Sequence, residues 1–96
     1  MSYKPVYATV RDDHPRKVIH VVRVVDTLLQ PEEVEELVAR MRAHTLAKHG
    51  EQEAAIVVVQ GDTKETLRLF GEPYAVARVR AAMFNAAIRW SEFILV

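Results

Sequence analysis

The alternation of apolar and polar residues along the chain predicts four strands and two helices. The first predicted strand, residues 17–26 (KVIHVVRVVD), is rich in β-branched residues and too short and valine-rich for a helix. The following segment places apolar residues on one stripe at helical spacing, and Pro31 suits its first turn. Glu33 is expected to reach back to the helix start as in a capping box, and Gly50 to end the helix in the left-handed conformation.

The second half of the chain predicts one more strand pair, one more helix and a final strand. Residues 54–60 (AAIVVVQ) predict a strand that the turn GDTK joins to a third strand, ETLRLFG, as an antiparallel hairpin. Pro73 begins the second helix, whose alanine-rich shoulder permits close approach to a neighbour. The segment IRWSEFILV predicts the fourth strand.

This order of elements predicts an α+β fold of the ferredoxin-like kind. The split β-α-β arrangement has a four-stranded antiparallel sheet with both helices on one face. We expect residues 15–96 to form a single domain and residues 1–14 to form an N-terminal extension or an extra strand. In the first two predicted strands both the odd-numbered and the even-numbered positions are apolar, which indicates that the second sheet face is also covered. A second copy of the chain, or the segment VYATV at residues 6–10, is expected there, although a hairpin of that segment with the first strand changes the strand order.

Composition narrows the class of protein further. The 96 residues are 50% apolar and 27% charged, which is typical of one globular domain. Thirteen basic residues balance thirteen acidic ones, so the whole molecule has no positive excess for nucleic acid or anionic lipid. Without a signal-like or membrane-spanning apolar run, we expect a cytoplasmic protein that does not bind membranes, and the nine arginines against four lysines indicate a bacterial origin.

Candidate catalytic and metal chemistry is sparse. The chain contains no cysteine, which excludes disulfides, thiolate nucleophiles and cysteine-ligated metals. His44 and His49 lie about 140° apart around a helix, which excludes a shared metal ion, and we expect no cofactor. His20 lies mid-strand between apolar residues, where Ser91 or Glu92 nearby would allow acid–base chemistry in a small dimeric enzyme. A hydrogen-bonded scaffold histidine is the favoured interpretation, so an enzyme is not expected.

A second hypothesis is single-stranded RNA binding through an open sheet face and the C-terminal arginines. Such a surface uses arginines for phosphates and aromatic rings for stacking. The stretch TLRLFGEPYAVARVRAAMF resembles the last strand and helix of KH-type RNA-binding domains, but the two-glycine loop of that family is missing. We favour a solvated surface over RNA binding. The residues of the hypothesis are Arg68, Phe70, Arg78, Arg80 and Arg89.

The leading hypothesis is a non-catalytic homodimeric module that offers a surface or shallow cleft to a protein or small-molecule partner. The two-faced apolar strands and the apolar end FILV favour it. Phe93 and Leu95 share one face of the last predicted strand and are the predicted dimer contacts.

Overall fold

The computed structural model describes residues 5–12, 17–25, 27–50, 54–61 and 63–93. Within them the chain forms five strands and two helices, and none of these helices is long and apolar enough to cross a membrane. The elements are β1 (Val6–Asp12), β2 (Lys17–Val24), α1 (Pro31–His49), β3 (Ala55–Gln60), β4 (Arg68–Phe70), α2 (Pro73–Phe84) and β5 (Ser91–Glu92).

The five strands make one mixed sheet in the spatial order β4-β3-β2-β1-β5. β1 and β2 form an antiparallel hairpin, with Val6 opposite Arg23 at one end and Asp12 opposite Lys17 at the other. β2 and β3 are parallel neighbours, and α1 is the crossover between them. β4 pairs antiparallel with β3 at one edge of the sheet, and β5 pairs antiparallel with the start of β1 at the other.

The two helices lie on opposite faces of this sheet, which gives three layers. Even-numbered side chains of β2 and β3 face α1 and odd-numbered side chains face α2, because successive side chains of a strand point to opposite faces. The α1-side core consists of Val22, Val24, Leu29, Leu37, Met41, Ile56, Val58 and Phe93. The α2-side core consists of Ala8, Val10, Ile19, Val21, Ala55, Val57, Val59, Ala75 and Val79.

The α+β class predicted from the sequence is confirmed, but the predicted four-stranded antiparallel sheet with both helices on one face is wrong. The segment VYATV belongs to β1, and its short hairpin with β2 occupies one side of β2. β3 then pairs in parallel on the other side, so the central pairings of a ferredoxin-like sheet do not form. A local hairpin closes a short loop and therefore loses little chain entropy, which favours this pairing.

The apolar residues at both parities of β2 and β3 have an intramolecular explanation. α1 covers one face and α2 covers the other, so buried strands need no second copy of the chain to be shielded from water. Both sets of strand residues are buried within one chain. This apolar pattern therefore no longer supports the expected homodimer, which stays a prediction.

Local sequence determines where the helices begin and end. The backbone N–H of Gln30 donates to the Glu33 carboxylate at 3.1 Å, which confirms the predicted capping contact at the start of α1. Gly50 ends α1 with φ 68° and donates its N–H to the Leu46 carbonyl, which confirms the left-handed end. At the corner before α2, a Cβ on Gly71 would lie 2.8 Å from the carbonyl oxygen of Ile56, so only glycine fits against β3 there.

Candidate functional site

Within the residues that the structure describes, one side of β1 is only partly occupied by a neighbouring strand. β5 pairs with Val6 and Tyr7, and the N–H of Phe93 donates to the Pro5 carbonyl at 3.2 Å. Beyond Tyr7, none of the described strands pairs with β1 on the side away from β2. We call this side of β1, at residues 8–12, the open edge.

The backbone groups that face the open edge follow from the strand geometry. In an extended strand the N–H and C=O of one residue point to the same side, and successive residues alternate. The Pro5 carbonyl accepts from Phe93, and the Tyr7 carbonyl accepts from the Ser91 hydroxyl at 3.3 Å. Odd-numbered residues of β1 therefore direct their backbone groups toward the β5 side, which places those of Thr9 and Arg11 at the open edge.

A cleft of about 290 Å³ lies beside the open edge, between β1 and the second half of α2. Small side chains on α2 and in the following turn leave this space, since alanine fills little volume. We call it the edge cleft. Its described lining residues are Thr9, Val10, Arg11, Arg78, Ala81, Ala82, Asn85 and Ala87.

The segment after α2 explains why the edge stays open. Ala86 has φ 51°, the left-handed region that non-glycine residues rarely adopt, and it turns the chain away from the end of α2. Trp90 then packs against the α2-side core, with the guanidinium carbon of Arg23 5.6 Å from its ring centroid. Anchored in this way, the segment joins the sheet only at Ser91, opposite Tyr7.

The edge cleft has a basic lining. An Nη2 of Arg78 donates to the Arg11 carbonyl at 3.5 Å, at the limit of hydrogen-bond distance. The described lining residues include two arginines and no carboxylate, but strand alternation directs the Arg11 side chain to the α1 face, so Arg78 is the arginine on the cleft side of the sheet. This arrangement favours an anionic ligand group over a cationic one.

A second cluster of polar and aromatic side chains lies on the α1 side. His20 is 1% exposed, and its Nδ1 is 2.6 Å from the Tyr7 hydroxyl oxygen. The Tyr7 ring centroid lies 5.6 Å from that of His44 and 6.0 Å from that of Phe93. These contacts join β1, β2, α1 and the residue after β5, so the cluster holds the layers together.

The cluster is poorly arranged for catalysis by His20. The buried ring is not accessible to a substrate in this conformation. Of the expected helpers, Ser91 donates its hydroxyl to the Tyr7 backbone, and Glu92 is paired with Val6 and so points to the other sheet face. The geometry favours the scaffold interpretation, and the acid–base role of His20 stays a prediction.

The structure does not bring the predicted RNA-binding residues to one surface. Arg68 and Phe70 pair with Gln60 and Val58 and therefore lie on the α1 face at the β4 edge. Arg78 and Arg80 belong to α2 on the opposite face, and Arg89 lies in the segment before β5. The helices also cover both faces of the sheet, so the open face that the RNA hypothesis requires is not present among the described residues.

The structure also locates Phe93, one of the two predicted dimer contacts, and His44, one of the two helix histidines for which a shared metal ion is excluded. Phe93 is 6% exposed within one chain, where it packs in the α1-side core, and Leu95 lies outside the described residues. His44 packs against Tyr7 and Phe93. The part of the chain that the structure describes holds no group of three histidine or acidic side chains able to bind a metal ion.

Sequence reasoning missed most of the edge cleft. From the sequence, Arg78 is a candidate for nucleic-acid binding only, and Thr9 and Arg11 are not site candidates, because residues 1–14 are predicted as an N-terminal extension or an extra strand. The alternation in VYATVRD, followed by the turn-like DDHP, is the signal for β1. Nothing in the sequence indicates that β5 pairs with only two residues of β1, since this depends on how the preceding segment packs.

Comparison of the chain with protein-family models, with curated protein sequences and with solved structures found no match. The function is therefore argued from the geometry of the edge cleft and of the cluster around His20.

Proposed function

We propose that this protein is a small non-catalytic interaction module whose binding site is the edge cleft. The observation that carries the proposal is the end of β1–β5 pairing at Tyr7, which leaves backbone hydrogen-bonding groups of a strand beside a cleft. Unpaired strand edges are places where other chains bind, and most proteins cover or blunt them. Here the edge is followed by a formed cleft with a basic lining.

Binding fits the chemistry of the lining better than catalysis does. The polar side chains among the described lining residues are those of Thr9, Arg11, Arg78 and Asn85. Of these side chains, those of Arg78 and Asn85 lie on the α2 side of the sheet, where they hydrogen-bond and neutralise an anion, whereas a general acid–base step needs a group that gains and loses a proton near neutral pH. The candidate for such a step, His20, is buried on the other face of the sheet.

RNA binding and homodimer formation both stay predictions. RNA binding would have to use a surface other than an open sheet face, and homodimer formation would have to use a contact other than the buried strands. A steep fall of RNA affinity with salt would support the first. The mass in solution tests the second.

The test of the proposed function is a ligand screen read out residue by residue. Isotope-labelled protein is titrated with short peptides of acidic, basic and apolar composition and with acetate and phosphate, and amide chemical shifts are followed. We expect at least one probe to shift the amides of Thr9, Arg11 and the residues around Asn85. Shifts confined to other surfaces, or no shifts with any probe, would contradict the proposal.

A matched pair of variants separates the edge cleft from the rest of α2. Ala81→Phe fills the cleft, whereas Ala77→Phe adds the same side chain one turn earlier, at an exposed position outside the described lining. We expect Ala81→Phe to abolish the shifts and Ala77→Phe to preserve them. Equal effects of the two variants would place the binding site elsewhere.

A further inference from the structure

We infer that the edge cleft binds an extended acidic polypeptide segment, which pairs with the open edge of β1 as an additional strand. The inference rests on the proposed function, since it names the ligand class of the same site. Three features of the described residues carry it: the backbone groups of the open edge, the shape of the cleft and the position of two arginines.

The open edge selects an extended backbone as its ligand. Thr9 and Arg11 present their N–H and C=O groups on the side away from β2, by the same alternation that directs the Pro5 and Tyr7 carbonyls toward β5. A peptide strand matches this spacing with its own N–H and C=O groups, as in other cases of strand addition. A compact small molecule satisfies fewer of these groups.

The cleft provides room for side chains of the added strand. A strand beside β1 lies about 4.8 Å from it, in the plane of the sheet, and alternate side chains point to each face. Those that point to the α2 face enter the space bordered by Ala81, Ala82 and Ala87. The shape of the site therefore agrees with the direction that the backbone pairing imposes.

The two arginines select carboxylates at adjacent positions of the added strand. Arg11 is odd-numbered like Tyr7 and so points to the α1 face, whereas Arg78 projects from α2 on the other face. Adjacent residues of the added strand also point to opposite faces, so each of two neighbouring carboxylates meets one arginine. Arg78 lies within hydrogen-bond distance of the Arg11 carbonyl, which places its guanidinium at the open edge, where a carboxylate of the added strand accepts a charge-assisted bond.

The same charges disfavour a second copy of the chain as the occupant. Antiparallel pairing of two open edges would bring Arg11 and Arg78 of both copies together. Four guanidinium groups at one contact repel one another, and like charges across an interface suppress such pairing. Arg78 at the open edge therefore limits self-association while it attracts an acidic strand.

The first experiment compares three synthetic peptides by their effect on amide shifts of labelled protein. The first is a short capped peptide of valine and threonine with a central Glu-Glu pair. The second replaces the pair by Lys-Lys, and the third keeps the glutamates but carries N-methyl groups on alternate backbone nitrogens. We expect the glutamate peptide to bind about tenfold more tightly than the lysine peptide and the N-methylated peptide to lose binding.

The outcomes distinguish a failure of the inferred ligand class from a failure of the proposed function. Equal binding of the glutamate and lysine peptides would overturn the acidic preference, and unchanged binding of the N-methylated peptide would overturn strand addition. If either occurs while Thr9 and Arg11 still shift, the interaction module stands and only this inference fails. If no probe shifts these residues, the proposed function fails as well.

Variants of the protein provide the second measurement. Arg78→Gln is expected to weaken the glutamate peptide about tenfold, whereas Arg80→Gln, on the same helix but outside the described lining, leaves it unchanged. Thr9→Pro removes an N–H of the open edge without touching the β1–β2 hydrogen bonds, and we expect it to abolish binding. An equal loss of affinity for the glutamate peptide in Arg78→Gln and Arg80→Gln would overturn the inference. It would also be overturned if the unchanged protein sediments as a dimer and the Thr9→Pro variant as a monomer.

Discussion

The two sides of the sheet are built from different kinds of side chain. The α1-side core contains leucine, methionine and phenylalanine, and the buried polar residues among those described, His20, Thr45 and Gln60, all lie on this side. The buried residues of the α2-side core are alanine, valine and isoleucine, and larger side chains such as Leu69, Met83 and Trp90 pack around them while partly exposed. The buried part of one side thus contains large side chains and directional hydrogen bonds, and the buried part of the other contains small apolar side chains that fit closely.

The polar contacts of the α1 side hold specific chain segments in place. The Gln60 side chain accepts from the N–H of Leu29 at 2.9 Å and donates to the carbonyls of Val24 and Thr27, so it binds the β2–α1 connection to the end of β3. The Thr45 hydroxyl donates to the Arg42 carbonyl within α1. None of the described buried side-chain polar atoms lacks a partner, which is the condition under which such groups do not destabilise the core.

The small side chains of the α2 side explain both its packing and its opening. Ala75 is fully buried, and with Ala8 and Ala55 it lets α2 approach the sheet closely. Toward the end of the helix, Ala81 and Ala82 do not reach β1, and the edge cleft results. The proposed binding site therefore lies on the side whose buried residues are small and apolar.

Two core substitutions, one that removes a large side chain and one that introduces a large side chain, should have the largest effects on stability. Leu37→Ala removes a large buried side chain from the α1-side core and should lower the free energy of unfolding by about 2–5 kcal/mol. Ala75→Leu inserts a large side chain into the α2-side core and should lower it by about 1–3 kcal/mol through overpacking. Urea unfolding measures both. Ala77→Leu, at the exposed face of α2, is the control. If Ala75→Leu lowers the free energy of unfolding no more than Ala77→Leu does, the α2 side is not closely packed.

Loss of the Gln60 side-chain amide tests the polar part of the α1 side. Gln60→Leu has a similar volume but leaves the N–H of Leu29 and the carbonyl of Thr27 without this partner, so we expect a loss of about 1–3 kcal/mol. Hydrogen exchange should show the largest increase at Leu29, whereas amides of α2 should change only with global stability. A uniform increase in exchange throughout the chain would show that Gln60 does not specifically hold the connection.

Both helices could be predicted well from the sequence, whereas the last strand is shorter than predicted, since among the described residues of IRWSEFILV only Ser91 and Glu92 form it. Proline at the first position of each helix, glycine after α1 and the β-branched runs are local signals, and the structure places α1 and α2 at Pro31–His49 and Pro73–Phe84. The antiparallel pairing of β3 and β4 was also predicted, because a short turn joins them. These features depend on residues close together in the chain.

Strand order and the edge cleft could not be predicted because they depend on distant residues. The parity pattern of β2 showed that both faces are covered, but a pattern in one strand does not identify the covering element, which is α2. The open edge depends on where β5 stops, and this follows from the packing of Trp90 and the turn at Ala86. For His20, the sequence indicates a mid-strand position between apolar residues, but its partner Tyr7 lies in the segment predicted as an N-terminal extension or an extra strand.

The smallest of these effects concerns the hydrogen bond between Tyr7 and His20. Tyr7→Phe keeps the ring contacts with His44 and Phe93 but removes the hydroxyl that lies 2.6 Å from Nδ1, so we expect a loss of about 1 kcal/mol in the free energy of unfolding. Tyr74→Phe removes a hydroxyl from an exposed side chain and should change stability by less than about 0.5 kcal/mol. Thermal and urea unfolding of both variants, with nitrogen chemical shifts of the His20 ring, provide the measurement. A Tyr7→Phe protein as stable as Tyr74→Phe, with an unchanged Nδ1 signal, would show that this polar contact does not join β1 to β2. The polar contacts that distinguish the α1 side from the α2 side would then be those of Gln60 and Thr45.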